Sequence, residues 1–129
     1  MQGQSDSQRS LFDAEALCGH LIPKGSVYRF LADHREELFC PQMFSDLYSS
    51  GVGRPSVPPE RVATAIVLQS LEGLSDREAA ERLTRDVAWK LATGVPLTEP
   101  GFHPTVFTYS RRRLQASEDP QRIFEAVRK

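Results

Sequence analysis

The residues of this 129-residue chain whose types and spacing can do chemistry concentrate in one stretch, FTYSRRRLQ, Phe107 to Gln115, where Arg111, Arg112 and Arg113 stand side by side. A guanidinium presents five N–H donors in a planar fork, a shape that matches phosphate oxygens and the O6/N7 edge of guanine. Thr105, Thr108, Tyr109 and Gln115 add hydroxyl and amide groups suited to base edges or phosphates, and threonine also brings a methyl group for contact with thymine. The formal net charge is only −1, but the charge is unevenly spread. Residues 1–52 carry 4 basic and 7 acidic groups, residues 53–101 carry 6 and 7, and residues 102–129 carry 6 and 3. No acidic residue lies between Gly101 and Ser117. The triplet is therefore either a phosphate- and base-gripping face or the solvated side of a helix.

Other chemistries find little support. General acid–base or metal catalysis needs carboxylates, histidines or thiols gathered at one place, whereas the acids here fall on polar helix faces beside arginines, as Glu78 does four residues before Arg82. There is no Gly-rich phosphate loop, nucleophile elbow or metalloprotease motif. An active site complete within these residues is not expected, nor is a cofactor. Cys18, His20, His34 and Cys40 lack the paired spacings of a zinc site, and Cys18 and Cys40 are expected as free, partly buried thiols. No apolar run has the roughly 18 or more residues of a membrane span, and MQGQSDSQRS lacks a basic-then-apolar export signal. The expected location is the cytoplasm, with association to the nucleoid when DNA is bound, and neither a membrane nor a small-molecule substrate is an expected partner.

The elements that must hold the arginine stretch read as helices throughout, so the expected fold class is all-α. Residues 1–10 are a polar lead-in expected to be disordered, 11–50 a helical N-terminal subdomain, 51–58 a Ser-, Gly- and Pro-rich connector, and 59–129 a helix-turn-helix-like region. Ser26 stands as an N-cap before VYRFLADHREELF, whose Val27, Phe30, Leu31 and Leu38 fall at helical spacing. Pro59 opens and Gly73 closes a helix with the apolar stripe Val62, Ala63, Ile66, Val67, Ser70 and Leu71. Ser75 and Glu78 have capping-box spacing, with Ala79, Ala80 and Leu83 inward; Asp86 and Gly94 bound a short helix around Trp89, expected in the core. Pro104 opens a helix to about Ala116, with Val106, Phe107, Ser110 and Leu114 on its inner side and Arg111 at the border. A further amphipathic pattern, Ile123, Phe124 and Val127, still runs at the chain's end, as in one domain of a longer protein.

A capped helix, a tight turn, a short helix and then a polar basic helix is the layout of helix-turn-helix proteins. Pro104 to Ala116 is the candidate groove reader. DVAWKLAT is its rival, offering Lys90 and Thr93. A second class of function is a dimerisation scaffold, with part of the apolar stripes serving as a two-fold homodimer seam.

The run from DLYSSGVGRPSVPP to LATGV, followed by FHPTVFTYSRRRL, resembles the N-terminal domain of bacterial insertion-sequence transposases of the DDE type, most closely the actinobacterial kind. The resemblance runs from about Leu21 to Lys129 and rests on ordered blocks: Gly53-Arg54-Pro55, the Leu-Ser-Asp-Arg-Glu run at Leu74 to Glu78, and an Arg-x-x-Leu ending at Leu114. It implies a helical domain that binds double-stranded DNA at the transposon's terminal inverted repeats and helps to pair subunits. It also implies a separate catalytic domain, whose three carboxylates hold divalent metal ions; none of those carboxylates is assignable here. Within that frame Arg112 and Gln115 are expected at bases or groove edges, Arg111 and Arg113 at phosphates, and Thr105, Thr108 and Tyr109 as auxiliary contacts. Arg54 is expected either at adjacent backbone or minor groove, or paired with an acid that orders the connector.

Overall fold

Short-range capping chemistry sets the helix ends. The computed structural model describes residues 14–40, 42–44, 57–117 and 119–128, and among them all regular secondary structure is helical. The elements are α1 (Ala14–Cys18) with a 3-10 turn (Gly19–Leu21), α2 (Val27–Leu38), α3 (Pro59–Glu72), α4 (Asp76–Arg85), α5 (Val87–Thr93), α6 (Pro104–Ala116) and α7 (Arg122–Arg128). The Ser26 hydroxyl accepts from the Arg29 amide at 3.2 Å and starts α2. At α4 the capping box closes in both directions: the Glu78 amide donates to Ser75 Oγ at 3.1 Å, and the Ser75 amide donates to Glu78 Oε1 at 3.0 Å. Asp86 ends α4 and also caps α5, its Oδ1 accepting from the Ala88 amide at 2.8 Å. That one residue redirects the chain without a glycine.

Helix α3 is the centre of the packing. Every residue from Pro59 to Gln69 except Arg61 is buried, so the stripe expected from periodicity is in fact a nearly complete cylinder, while Ser70 and Leu71 at its end are exposed. The reason is tertiary: α2, α4, α5, α6 and α7 all pack against α3. Helices α1 and α2 pack on α5, and one apolar cluster joins Leu31, Phe39 and Phe44 to Ile66, Leu68, Leu83, Trp89, Phe107 and Ile123. The stretches read as an N-terminal subdomain and a helix-turn-helix-like region thus contribute to the same core.

Helix α2 turns differently from its apolar pattern. Leu31 is buried, but Val27 and Phe30 are exposed, and Phe30 lies against the His34 ring. Two polar side chains take the inward face instead. Tyr28 donates its hydroxyl to Glu72 Oε2 at 3.1 Å, and Arg35 Nη1 donates to the Ala92 carbonyl at 2.8 Å near the C-terminal end of α5. The Arg35 guanidinium lies over Gly94, which has a left-handed φ of 84°; a Cβ there would come within 2.7 Å of Arg35 Nη2. Gly94 therefore both ends α5 and leaves room for the arginine that satisfies it.

Glu72, at the end of α3, draws these elements together. Its Oε2 accepts from the Trp89 indole N–H at 2.8 Å as well as from Tyr28, and its Oε1 lies 3.3 Å from Arg82 Nη1. Arg82 also approaches Asp86 at 3.6 Å, so it is directed to Glu72 and Asp86, with Glu78 occupied in the capping box. Trp89 is fully buried, and among the described residues Glu72 is the acceptor its N–H finds. Glu72→Ala is expected to lower stability by about 2 kcal/mol, with Glu72→Gln recovering part of the loss by offering an amide oxygen. Urea denaturation followed by the fluorescence of Trp89, the only tryptophan, measures both; an unchanged midpoint for Glu72→Ala would contradict the role given to this carboxylate.

Candidate nucleic-acid interface

Helix α6 begins at a histidine cap. The His103 Nδ1 accepts from the Thr105 amide at 3.2 Å and lies 3.0 Å from the Thr105 hydroxyl, and Pro104 occupies the first turn, where its missing N–H is no loss. Phe107 and Leu114 anchor the helix in the core, with the Phe107 ring 5.3 Å from that of Phe102. Just before α6, Gly101 has a φ of 85°, and a Cβ there would come 2.9 Å from Leu83 Cβ. The approach of the loop to α4 therefore depends on glycine. Thr84 adds a hydrogen bond to the Pro100 carbonyl at 2.8 Å.

The three arginines have three different environments. Arg111 makes a bidentate pair with Asp76 in the first turn of α4: Nη1 lies 2.6 Å from Oδ1 and Nη2 lies 2.6 Å from Oδ2. Thr108, one turn earlier on α6, donates to the same Oδ2 at 2.8 Å. Gln69 of α3 completes the group, donating Nε2 to Asp76 Oδ1 at 2.8 Å and accepting from Arg111 Nη1 at 3.1 Å. Arg112 is exposed; its guanidinium carbon lies 5.9 Å from the centre of the Tyr109 ring, and among the described residues it meets no carboxylate. Arg113 is exposed at the rim of a small, mainly apolar cavity lined by Phe44, Val62, Leu114 and Ile123.

Of the residues singled out from sequence, Thr105, Tyr109, Arg112, Arg113 and Gln115 therefore lie exposed on α6. Thr108 and Arg111 are half-buried and turned to Asp76. Arg54 lies outside the described residues. Asp76 and Gln69 were missed by the sequence reading, which considered acids only within the arginine stretch; the partner stands 35 residues earlier. Helix α5 has no face for a groove: Trp89, Lys90, Leu91, Ala92 and Thr93 are all buried. Lys90 donates to the Pro96 carbonyl at 3.4 Å and to that of Glu99, and burial pushes its ammonium pKa down. Cys18 is half-buried and Cys40 is exposed rather than partly buried. Among the described residues no three of His, Cys, Asp and Glu stand together as a set that could hold a metal ion.

The Asp76 carboxyl is held down to about 2, first by its bond to Arg111 and then by Gln69 and Thr108, against the opposing effect of burial. A depressed carboxylate pKa contributes stability above the unfolded-state value, and that contribution is lost as pH falls through the folded value. The contribution here is about 1–2 kcal/mol, discounted because the Arg111 side chain is 40% exposed. The stability advantage of the parent over Asp76→Asn is expected to be constant above about pH 5 and to shrink as pH falls towards 2. Urea midpoints measured across that range test it; a difference independent of pH would show that the paired charge contributes nothing.

Residues 17–113 match a family model described as Transposase domain (DUF772), a span from α1 through the arginine triplet that leaves α7 outside. No curated protein and no solved structure matches the chain. No helix among the described residues is long and apolar enough to cross a membrane. The family match takes in Glu72, Asp76, Trp89 and all three arginines, and because it covers well over half of the sequence, the chain belongs to the Transposase domain (DUF772) family.

Proposed function

We propose that this chain is the DNA-end-binding domain of a DDE-type transposase of the actinobacterial kind and recognises the terminal inverted repeats of its element through α6. The observation that carries this reading is the outer face of α6. Thr105, Tyr109 and Arg112 follow one another at four- and three-residue spacing, all exposed, on a helix whose opposite side is locked into the core by Phe107 and Leu114. A rigidly based helix with one polar, basic side is what major-groove entry requires. Arg112, braced by the Tyr109 ring, is the base-reading candidate with Gln115 beside it. Arg113 is assigned to phosphate, and Thr105 and Tyr109 to flanking contacts. The burial of α5 supports α6 as the reader. Arg54 is kept as a backbone or minor-groove contact from the connector. Cleavage and joining are assigned to a catalytic domain elsewhere in the protein, and the setting of the activity is the nucleoid.

A second reading, a homodimerising scaffold, draws support from Leu17, Leu21, Val27 and Phe30, large apolar side chains exposed on α1, the turn after it and α2. Titrating the chain against a duplex of its element's terminal repeat and against a scrambled duplex, across a salt series, separates the two. Sequence-specific binding gives tighter association with the repeat and a negative slope of log K on log salt. Arg112→Ala is expected to cost about 1–3 kcal/mol on the repeat and much less on the scrambled duplex. Equal, negligible binding to both duplexes together with a dimer by light scattering would replace the DNA reading with the scaffold.

A further inference from the structure

We propose that Asp76 is a positioning residue for α6: by occupying the Arg111 guanidinium and the Thr108 hydroxyl it fine-tunes the rotation of a helix rooted by Phe107 and Leu114 and withholds Arg111 from phosphate, so that sequence-reading falls to Arg112. This rests on the DNA-binding reading above.

The geometry is a closed polar ring drawn from three helices. Asp76 receives both arms of Arg111 at 2.6 Å and Thr108 at 2.8 Å, and Gln69 bridges Asp76 and Arg111 from the buried side at 2.8 and 3.1 Å. Thr108 and Arg111 are one turn apart on the same side of α6, so their two contacts to one carboxylate restrain the rotation and slide left to the helix by the packing of Phe107 and Leu114. Asp76 is itself held in place: it lies in the first turn of a helix whose capping box is complete, where the aligned peptide dipoles favour a negative charge. Gln69 is 7% exposed and cannot swing away without uncovering the core. The bidentate pair is electrically neutral as a unit. An arginine in that state neither condenses on phosphate nor releases a counterion, so it lowers affinity for DNA of any sequence without touching the reading face. Arg111 and Arg112 are adjacent in sequence, yet about 100° apart around the helix, so that one meets Asp76 and the other faces solvent.

The test uses the whole chain, a random-sequence duplex, a terminal-repeat duplex and three variants: Asp76→Asn, Arg111→Lys and the double substitution Asp76→Asn with Arg111→Met. Asp76→Asn releases Arg111, and the slope of log K on log salt for the random duplex should steepen by about 0.9, the value for one added phosphate contact. Preference for the repeat over the random duplex should fall by about tenfold as Arg112 loses its register. The double variant should return the salt slope to that of the parent while leaving the preference low, a separation that loss of stability alone does not produce. Arg111→Lys keeps a charge opposite Asp76 but lacks the fork, so it should lower the preference while leaving the salt slope near that of the parent. It carries the test if Asp76→Asn fails to give a native Trp89 spectrum. A parent that prefers the repeat, with Asp76→Asn and Arg111→Lys matching it in slope and preference, overturns the positioning role alone. A parent with no preference overturns the DNA reading and this proposal together.

Discussion

A helix buried on nearly every side must hand the polar groups at its end to its neighbours, and α3 does so through Gln69 and Glu72, one turn apart. Gln69 is buried and Glu72 is half-buried, so protein partners replace much of the water that each would otherwise bind. Glu72 takes Tyr28 from α2, Trp89 from α5 and Arg82 from α4. Gln69 takes Asp76 from α4 and Arg111 from α6. The first set assembles the scaffold and the second connects the exposed basic helix to it. Because both depart from a single turn of α3, the orientation of α6 is tied to the same packing that buries Trp89.

This arrangement gives adjacent arginines different work. A charge paired on two sides by a carboxylate, itself hydrogen-bonded by a glutamine and a threonine, is part of the architecture. The neighbouring charge, Arg112, stands at the surface with its guanidinium carbon 5.9 Å from the centre of the Tyr109 ring. The family to which the chain belongs places it in transposition; on the reading proposed above, the domain must distinguish one sequence from an excess of others. Restraining the non-specific part of the affinity is as useful there as strengthening the specific part, since surplus phosphate contacts raise binding to every site alike.

Much of the fold was legible without coordinates because its signals are local. Ser26, the Ser75–Glu78 box, Asp86, Gly94 and Pro104 act within three or four residues of their targets, and the helices begin and end where those residues stand. Trp89, Phe107 and Leu114 are in the core as their spacing requires. The faces of α2 and α3 were not legible. Periodicity assigns Val27 and Phe30 to the inside of α2, yet Tyr28 and Arg35 go inward because Glu72 and the Ala92 carbonyl wait there. Periodicity likewise predicts a stripe on α3, where helices arriving from five other segments close around it.

The candidate site divides along the same line. Sequence by itself determined that an amphipathic helix opened by Pro104 would carry three arginines in its second half with no acid nearby in the chain, and that Phe107 and Leu114 would root it. Only the tertiary structure decided that Arg111 turns to the protein while Arg112 and Arg113 are exposed, because the charge that holds Arg111, Asp76, is carried by another helix 35 residues away. Helix propensity and capping extend over a turn, whereas a salt bridge depends on distance in space, and packing around α3 is what brings Asp76 to within 2.6 Å of Arg111 and leaves Arg112 on the surface.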